Sequence, residues 1–164
     1  LSHRLYDRFQ GAMHHFERNM HHPDEPASSI GAAQYLVLGM GRTGTAAYDF
    51  LHRRGEKVTG LDSDPEVLSL QLAAGRRVAY GDAQDREFWR ALRLISVRGA
   101  VVALPRADAR LRTTKLLKEY APQAVISNYA MYEHEAELLR KAGADNVSSL
   151  LAEAGERLAE LSLR

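Results

Sequence analysis

The chain has 164 residues, 45% hydrophobic and 26% charged, the balance of an ordinary globular protein with one core. A formal net charge of +1, with acids and bases interspersed, leaves no basic stripe for nucleic acid, and the absence of cysteine excludes disulfides, thiolate catalysis and cysteine-ligated metal. No apolar run approaches the roughly 18–20 residues of a membrane span, and no signal or transit pattern follows Leu1, so the start reads as a cut from something longer.

Residues 1–20 read as an amphipathic helix, because Leu1, Leu5, Phe9, Ala12, Met13, Phe16 and Met20 recur at spacings of three and four. The stretch His21–Ser29, with Pro23 and Pro26, reads as a linker, so residues 1–29 form one unit and 30–164 the folded domain. From Gln34 onward short apolar runs alternate with helical segments. Tyr35–Leu38 is expected to be a strand and Thr43–Arg54 the helix after it. Lys57–Leu61 is the second strand. Pro65–Ala74 is its helix, with Asp64 as cap, Pro65 in the first turn and Gly75 as the stop.

Arg77–Tyr80 is the third strand, followed by a short helix at Arg86–Leu92 on which Trp89 reads as core. Ala100–Leu104 and Asp108–Tyr120 come next. Then follow Ala124–Ser127 and Tyr132–Ala142, a weak sixth strand at Asn146–Val147, and a last helix over Leu150–Leu161 with Leu150, Ala154, Leu158 and Leu161 on one face. Strand and helix alternating about six times predict an α/β, Rossmann-like doubly wound parallel sheet. In such sheets ligands bind at the carboxyl ends of the strands, where the strand order reverses.

The turn from first strand to first helix reads Gly39-Met40-Gly41-Arg42-Thr43-Gly44, a G-x-G-x-x-G register. The chemistry calls for glycine three times: Gly39 for the tight turn, Gly41 so that backbone can approach a pyrophosphate, and Gly44 for close packing of helix on strand. The N–H groups at the helix start then face the phosphate. Alone the motif is weak, and a tight turn that binds nothing is the alternative. Here it follows an apolar strand and opens a helix, and Asp62 ends the second strand about 20 residues on. That carboxylate suits the two ribose hydroxyls and repels a 2′-phosphate, which favours NAD(H) or AMP over NADP.

Arg42 is in reach of a phosphate, a partner subunit or solvent. Gly81-Asp82-Ala83 follows the third strand, where the adenine edge lies in this fold; Asp82 is placed either to accept from the adenine amino group or to cap the next helix. The candidate nucleotide contacts are therefore Gly39, Met40, Gly41, Arg42, Thr43 and Gly44 in the turn, Asp62 and Ser63 after the second strand, Asp82 and Ala83 after the third, and Leu104 at the end of the fourth.

His14, His15, His21 and His22 lack the three- or four-residue ligand spacing of a helical metal site and read as a solvated helix end. No catalytic set emerges: His52 and His134 fall on helices away from the strand ends, and no serine sits in a nucleophile elbow. Arg106, Arg110, Arg112, Lys115 and Lys118 read mostly as a solvated basic face, with part of it available to an anionic ligand or an acidic partner.

The segment from Tyr35 to about Leu161 resembles the RCK (regulator of potassium conductance) or Trk-type NAD-binding domain. The residues that carry the likeness are Gly39-Met40-Gly41-Arg42-Thr43-Gly44, Leu61-Asp62-Ser63-Asp64-Pro65, Gly81-Asp82-Ala83 and Ala142-Gly143-Ala144-Asp145. The likeness is greatest to the C-terminal cytoplasmic domain of Kef-type potassium-efflux and other cation:proton antiporters, and residues 1–29 look like the linker that joins it to the membrane part.

The resemblance implies a regulator, not an enzyme: a domain that binds NAD(H) or AMP and controls a potassium or sodium:proton antiporter. It implies Gly39, Gly41, Arg42, Gly44, Asp62 and Asp82 as nucleotide contacts and a homodimer made through the last helix. It also implies a membrane antiporter domain upstream in the parent chain, and a place at the cytoplasmic face of the cell membrane. Glutathione-gated members carry arginines just after the fifth strand, whereas this chain has Ser127-Asn128-Tyr129-Ala130-Met131-Tyr132, a departure that leaves glutathione gating open; Asn128 reads as a turn former, with a place facing the cleft as the alternative. A detached Trk-type subunit is the alternative, though such a subunit usually begins at the first strand. An NAD-dependent oxidoreductase would need a substrate cleft and a proton-transfer group that the sequence does not supply.

Overall fold

A computed structural model describes residues 30–163. The expected leading helix, the proline-containing linker and the histidine cluster of residues 14–22 lie outside the described residues.

Six strands form one sheet: β1 (Tyr35–Leu38), β2 (Val58–Asp62), β3 (Val78–Tyr80), β4 (Gly99–Val102), β5 (Val125–Ala130) and β6 (Asn146–Ser149). Their order is β3-β2-β1-β4-β5-β6 and every pairing is parallel. Between and after them run α1 (Arg42–Arg53), α2 (Pro65–Ala73), α3 (Arg86–Ala91), α4 (Ala107–Tyr120), α5 (Glu133–Lys141) and α6 (Leu150–Ser162). The strand order reverses between β1 and β4, so the doubly wound fold expected from the alternation is the one observed.

The two faces of β1 show why the sheet needs helices on both sides. Leu36 and Leu38 enter a core with Leu61, Ala100, Val102, Ile126, Trp89 of α3 and Leu116 and Leu117 of α4. Val37, between them, points the other way, into a smaller core with Met40, Tyr48 of α1 and Leu68 of α2. Trp89 is fully buried, as expected, and its indole N–H donates to the Ala83 carbonyl at 2.8 Å.

The caps expected of α2 are present: Asp64 accepts from the Glu66 N–H, Pro65 occupies the first turn, and Gly75 follows at φ 79°. Asp85, not Asp82, caps α3 by accepting from the Glu87 N–H.

Four details depart from the sequence reading. First, β4 ends at Val102, and Leu104 lies beyond it because its carbonyl is drawn off by Arg110 and by the Tyr129 hydroxyl. Second, β5 continues through Ala130, so Asn128 is a buried strand residue, not a turn former. Its amide donates to Thr114 Oγ1 of α4 at 3.0 Å, and its backbone pairs with both neighbouring strands. Third, β6 is four residues long, because it pairs with the extended end of β5.

Fourth, Arg110 is no part of a solvated face. Its side chain is 2% exposed and it donates to Glu135 at 3.0 Å and to the carbonyls of Leu104 and Pro105. The guanidinium also stacks over the Tyr129 ring, 4.3 Å from its centre. Arg112, Lys115 and Lys118, on the same helix, are exposed as expected.

Candidate functional site

The residues singled out in the sequence lie at or just after the carboxyl ends of β1 to β4, with the glycine turn where the strand order reverses; Asp62 and Leu104 touch that turn, while Asp82 and Ala83 follow the outer strand β3. Gly39 leaves β1 at φ 91°, a left-handed conformation that costs glycine little and other residues much. A Cβ there would also press on the carbonyl of Ala103 at 3.1 Å and on Leu104 at 3.2 Å. Leu104 thus packs against the turn from the β4 side, as part of its wall.

The three glycines divide into two kinds. A Cβ on Gly44 would sit 1.7 Å from the Gly39 carbonyl oxygen, so Gly44 is dictated by helix-on-strand packing. Among the described residues, a Cβ on Gly41 would meet nothing within 4 Å. Gly41 also has φ −75° and ψ −158°, extended backbone that other residues adopt. Nothing in the fold itself therefore calls for glycine at 41. The demand that fits is an object outside the chain that needs close approach to the backbone.

The start of α1 is suited to an anion. Gly41 is its N-cap, no side chain caps it and its first turn carries no acid. By contrast α2 and α3 each have an aspartate cap and an acid in the first turn. The first N–H groups of a helix have no partner inside it and carry the positive end of the helix dipole. Arg42 and Thr43 are exposed at this end, while Gly44 is buried.

Asp62, at the end of β2, is half-buried, and its two carboxylate oxygens are already engaged by backbone. Oδ2 accepts from the Met40 N–H at 2.7 Å and Oδ1 from the Asp64 N–H at 2.9 Å. Each oxygen retains a further lone pair. Asp62 therefore ties the glycine turn to the end of β2 and also presents a carboxylate toward the carboxyl edge of the sheet. The sequence pointed to the second role and gave no hint of the first.

Met40 offers a ligand little of itself. Its side chain is buried over Gly60, its N–H goes to Asp62 and its carbonyl accepts from Gln71 and Thr45. Ala83 is likewise buried, with its carbonyl taken by Trp89 and Thr113. Ser63 and Asp82 are exposed, and one Asp82 oxygen accepts from the Gln84 N–H at 2.9 Å. Gly81 before it is fixed by packing, since a Cβ would fall 2.4 Å from the Phe88 ring.

Sequence reasoning missed the residues behind the turn. An open groove of about 560 Å³ between α1 and α2 is lined by Met40, Arg42, Thr45, Asp49, Leu70 and Gln71, among others. Asp49 forms a two-bond pair with Arg76, and this hydrogen-bonded guanidinium holds the Asp49 carboxyl below its ordinary value of 3.8. The same pairing raises Arg76. No motif links positions 49, 71 and 76, so only the fold brings them together. Among the described residues no group of histidines and acids is placed to hold a metal ion, and no helix is long and apolar enough to cross a membrane.

The arrangement has known counterparts. The chain is 29% identical over 66% of its length to the glutathione-regulated potassium-efflux system protein KefC of Cronobacter sakazakii, of which it spans only 17%. It has the fold of the Kef C-terminal domain of Shewanella denitrificans in its AMP-bound form (TM-score 0.66, 22% identity, 79% of each chain). The GsuK channel bound to NAD shares that fold, with a TM-score of 0.63 and 21% identity over 80% of this chain and 24% of that one. The TrkA-N domain model matches residues 35–150, from the first strand to the start of the last helix, and the chain belongs to the TrkA-N domain family.

Proposed function

We propose that this chain is a regulatory domain that binds NAD(H) or AMP at the glycine turn and thereby controls a monovalent cation:proton antiporter. One observation carries the binding half: Gly41, at an uncapped helix start, faces space that no atom of the described residues fills. A phosphate lies against that backbone, held by the N–H groups of the first turn and by Arg42, with Thr43 beside it. Gly39, Met40, Gly44 and Leu104 shape the seat. Asp62, with Ser63 next to it, takes the ribose hydroxyls, and Asp82, with Ala83 behind it, meets the adenine edge.

The regulatory half is supported by the likeness to a potassium-efflux protein and by solved domains of the same fold whose bound nucleotides are AMP and NAD. A nucleotide regulates only if it binds the two transport states with different affinity. The chain works as a homodimer clasped by α6, which buries none of its own residues and leaves Leu151, Leu158 and Leu161 exposed. It sits at the cytoplasmic face of the membrane, below the transporter of its parent chain.

The coding sequence upstream of Leu1 tests this arrangement. A series of apolar spans of about 20 residues supports the antiporter domain, and a start codon close to Leu1 points to a detached Trk-type subunit. Cation-driven proton flux in vesicles carrying the parent protein should change when AMP or NADH is added to the domain's side. Flux indifferent to both nucleotides would sink the regulatory reading.

A further inference from the structure

The glycine turn is braced from behind by side chains that phosphate binding does not use directly. The Met40 carbonyl accepts from Gln71 Nε2 at 3.0 Å and from the Thr45 hydroxyl at 3.3 Å. The other end of the Gln71 amide is fixed as well. Its oxygen accepts from Arg76 at 3.0 Å, and Arg76 is held by Asp49 of α1 through two bonds of 2.8 Å. A flipped amide would set oxygen against the Met40 carbonyl and NH₂ against the guanidinium, so the network admits one orientation.

This orientation has a consequence for the next peptide group. Met40 C=O and Gly41 N–H belong to one peptide unit, and in a trans unit the two point in opposite directions. The described chain has no cis peptide bond. Drawing the Met40 carbonyl back toward α2 therefore turns the Gly41 N–H away from α2, and among the described residues no acceptor takes that N–H. The Met40 N–H, in the preceding peptide unit, is tied separately to Asp62, so the backbone is held on both sides of the Met40 Cα.

We infer that Gln71 is a positioning residue for phosphate recognition: it never touches the ligand and it aims the Gly41 N–H at the phosphate. This rests on the reading of the glycine turn as the phosphate seat. The Arg76–Asp49 pair is the anchor that keeps Gln71 from flipping.

Adenosine lacks the phosphate and keeps the ribose and base, so it separates aiming from general support. The 164-residue chain and its Gln71→Glu and Gln71→Met variants are titrated with AMP by calorimetry and with adenosine by ligand-observed NMR, and each ligand-free protein is melted. Both variants should lose about tenfold in AMP affinity, the scale of one misdirected hydrogen bond to a charged group, and keep adenosine affinity within about twofold. Unchanged AMP affinity in either variant, or a parallel loss of AMP and adenosine, overturns the positioning role. Failure of the wild-type chain to bind either AMP or NADH, titrated alongside, overturns the phosphate seat itself, and the inference with it.

Discussion

Replacing Gly41 and Gly44 separately by alanine should give opposite results, because the structure asks for glycine at the two positions for different reasons. At Gly44 the new Cβ would lie 1.7 Å from a backbone oxygen, and the helix or the turn must move. Overpacking against backbone costs on the order of 3 kcal/mol, which for a domain of this size lowers the melting temperature by roughly 10 °C. At Gly41 the Cβ meets nothing within 4 Å, at φ −75° and ψ −158°. Alanine is a poorer N-cap than glycine by something under about 1 kcal/mol, and it restricts the unfolded chain by about 0.4–1 kcal/mol in the opposite sense. The two nearly cancel, so Gly41→Ala should melt within about 3 °C of the parent.

The same methyl stands in the phosphate seat, however. Losing one or two charge-assisted hydrogen bonds of about 1.5 kcal/mol each predicts a 10- to 100-fold loss, to order of magnitude, in AMP affinity. Thermal melting by circular dichroism and titration calorimetry on both variants read the two effects. Wild-type AMP affinity in Gly41→Ala would refute the argument, and so would a collapse of its stability, since the first removes the ligand and the second the open space.

Other consequences are as direct. Asp62→Asn should weaken AMP binding by roughly tenfold, because an amide cannot accept from the ribose hydroxyls with both heavy atoms; unchanged affinity in calorimetry would rule out the ribose contact. Glu135→Ala should destabilise the fold by about 3–5 kcal/mol, because it leaves the buried Arg110 charge without its partner; a denaturation midpoint near the parent's would contradict this. The Asp49 carboxyl is held below 3.8 in the folded state by Arg76, so the unfolded state takes up the proton first on acidification. Its stabilisation is present above about pH 5 and drains away as pH falls through 3.8 and below. The difference in stability between the parent and Asp49→Asn should therefore shrink in acid, and a difference that is flat from neutral pH down to pH 3 would refute the pairing. Leu158→Asp, on the exposed face of α6, should shift the protein from dimer to monomer in sedimentation and abolish the rise of melting temperature with protein concentration that dimerisation gives the parent.

The sheet was legible in the sequence because alternation and punctuation agree. Pro65 after Asp64, Gly75 after the last turn and the glycine run after Leu38 each mark a boundary with a physical cause. The misread positions are those where a distant residue overrides local preference. Asn128 favours turns by itself, yet Thr114, fourteen residues away, gives its amide a buried partner and β5 runs on. Arg110 looked like one cation in a surface run until Glu135, 25 residues on, met it beneath Tyr129. The candidate site was legible in its front, where glycines and an acid carry a recognisable spacing. Its back was not, because Gln71, Arg76 and Asp49 share no spacing rule and meet only when α2 packs beside α1. The second task of Asp62, holding Met40, was hidden for the same reason.

Calorimetric titration of the purified chain with AMP, NAD⁺, NADH and NADPH asks whether the glycine turn is a nucleotide seat. The expected result is binding of AMP or of NAD(H) at one site per chain, with NADPH much weaker because its 2′-phosphate meets the Asp62 carboxylate. Heat from none of the four would mean that the glycine turn serves packing alone, and that this domain acts through protein contacts.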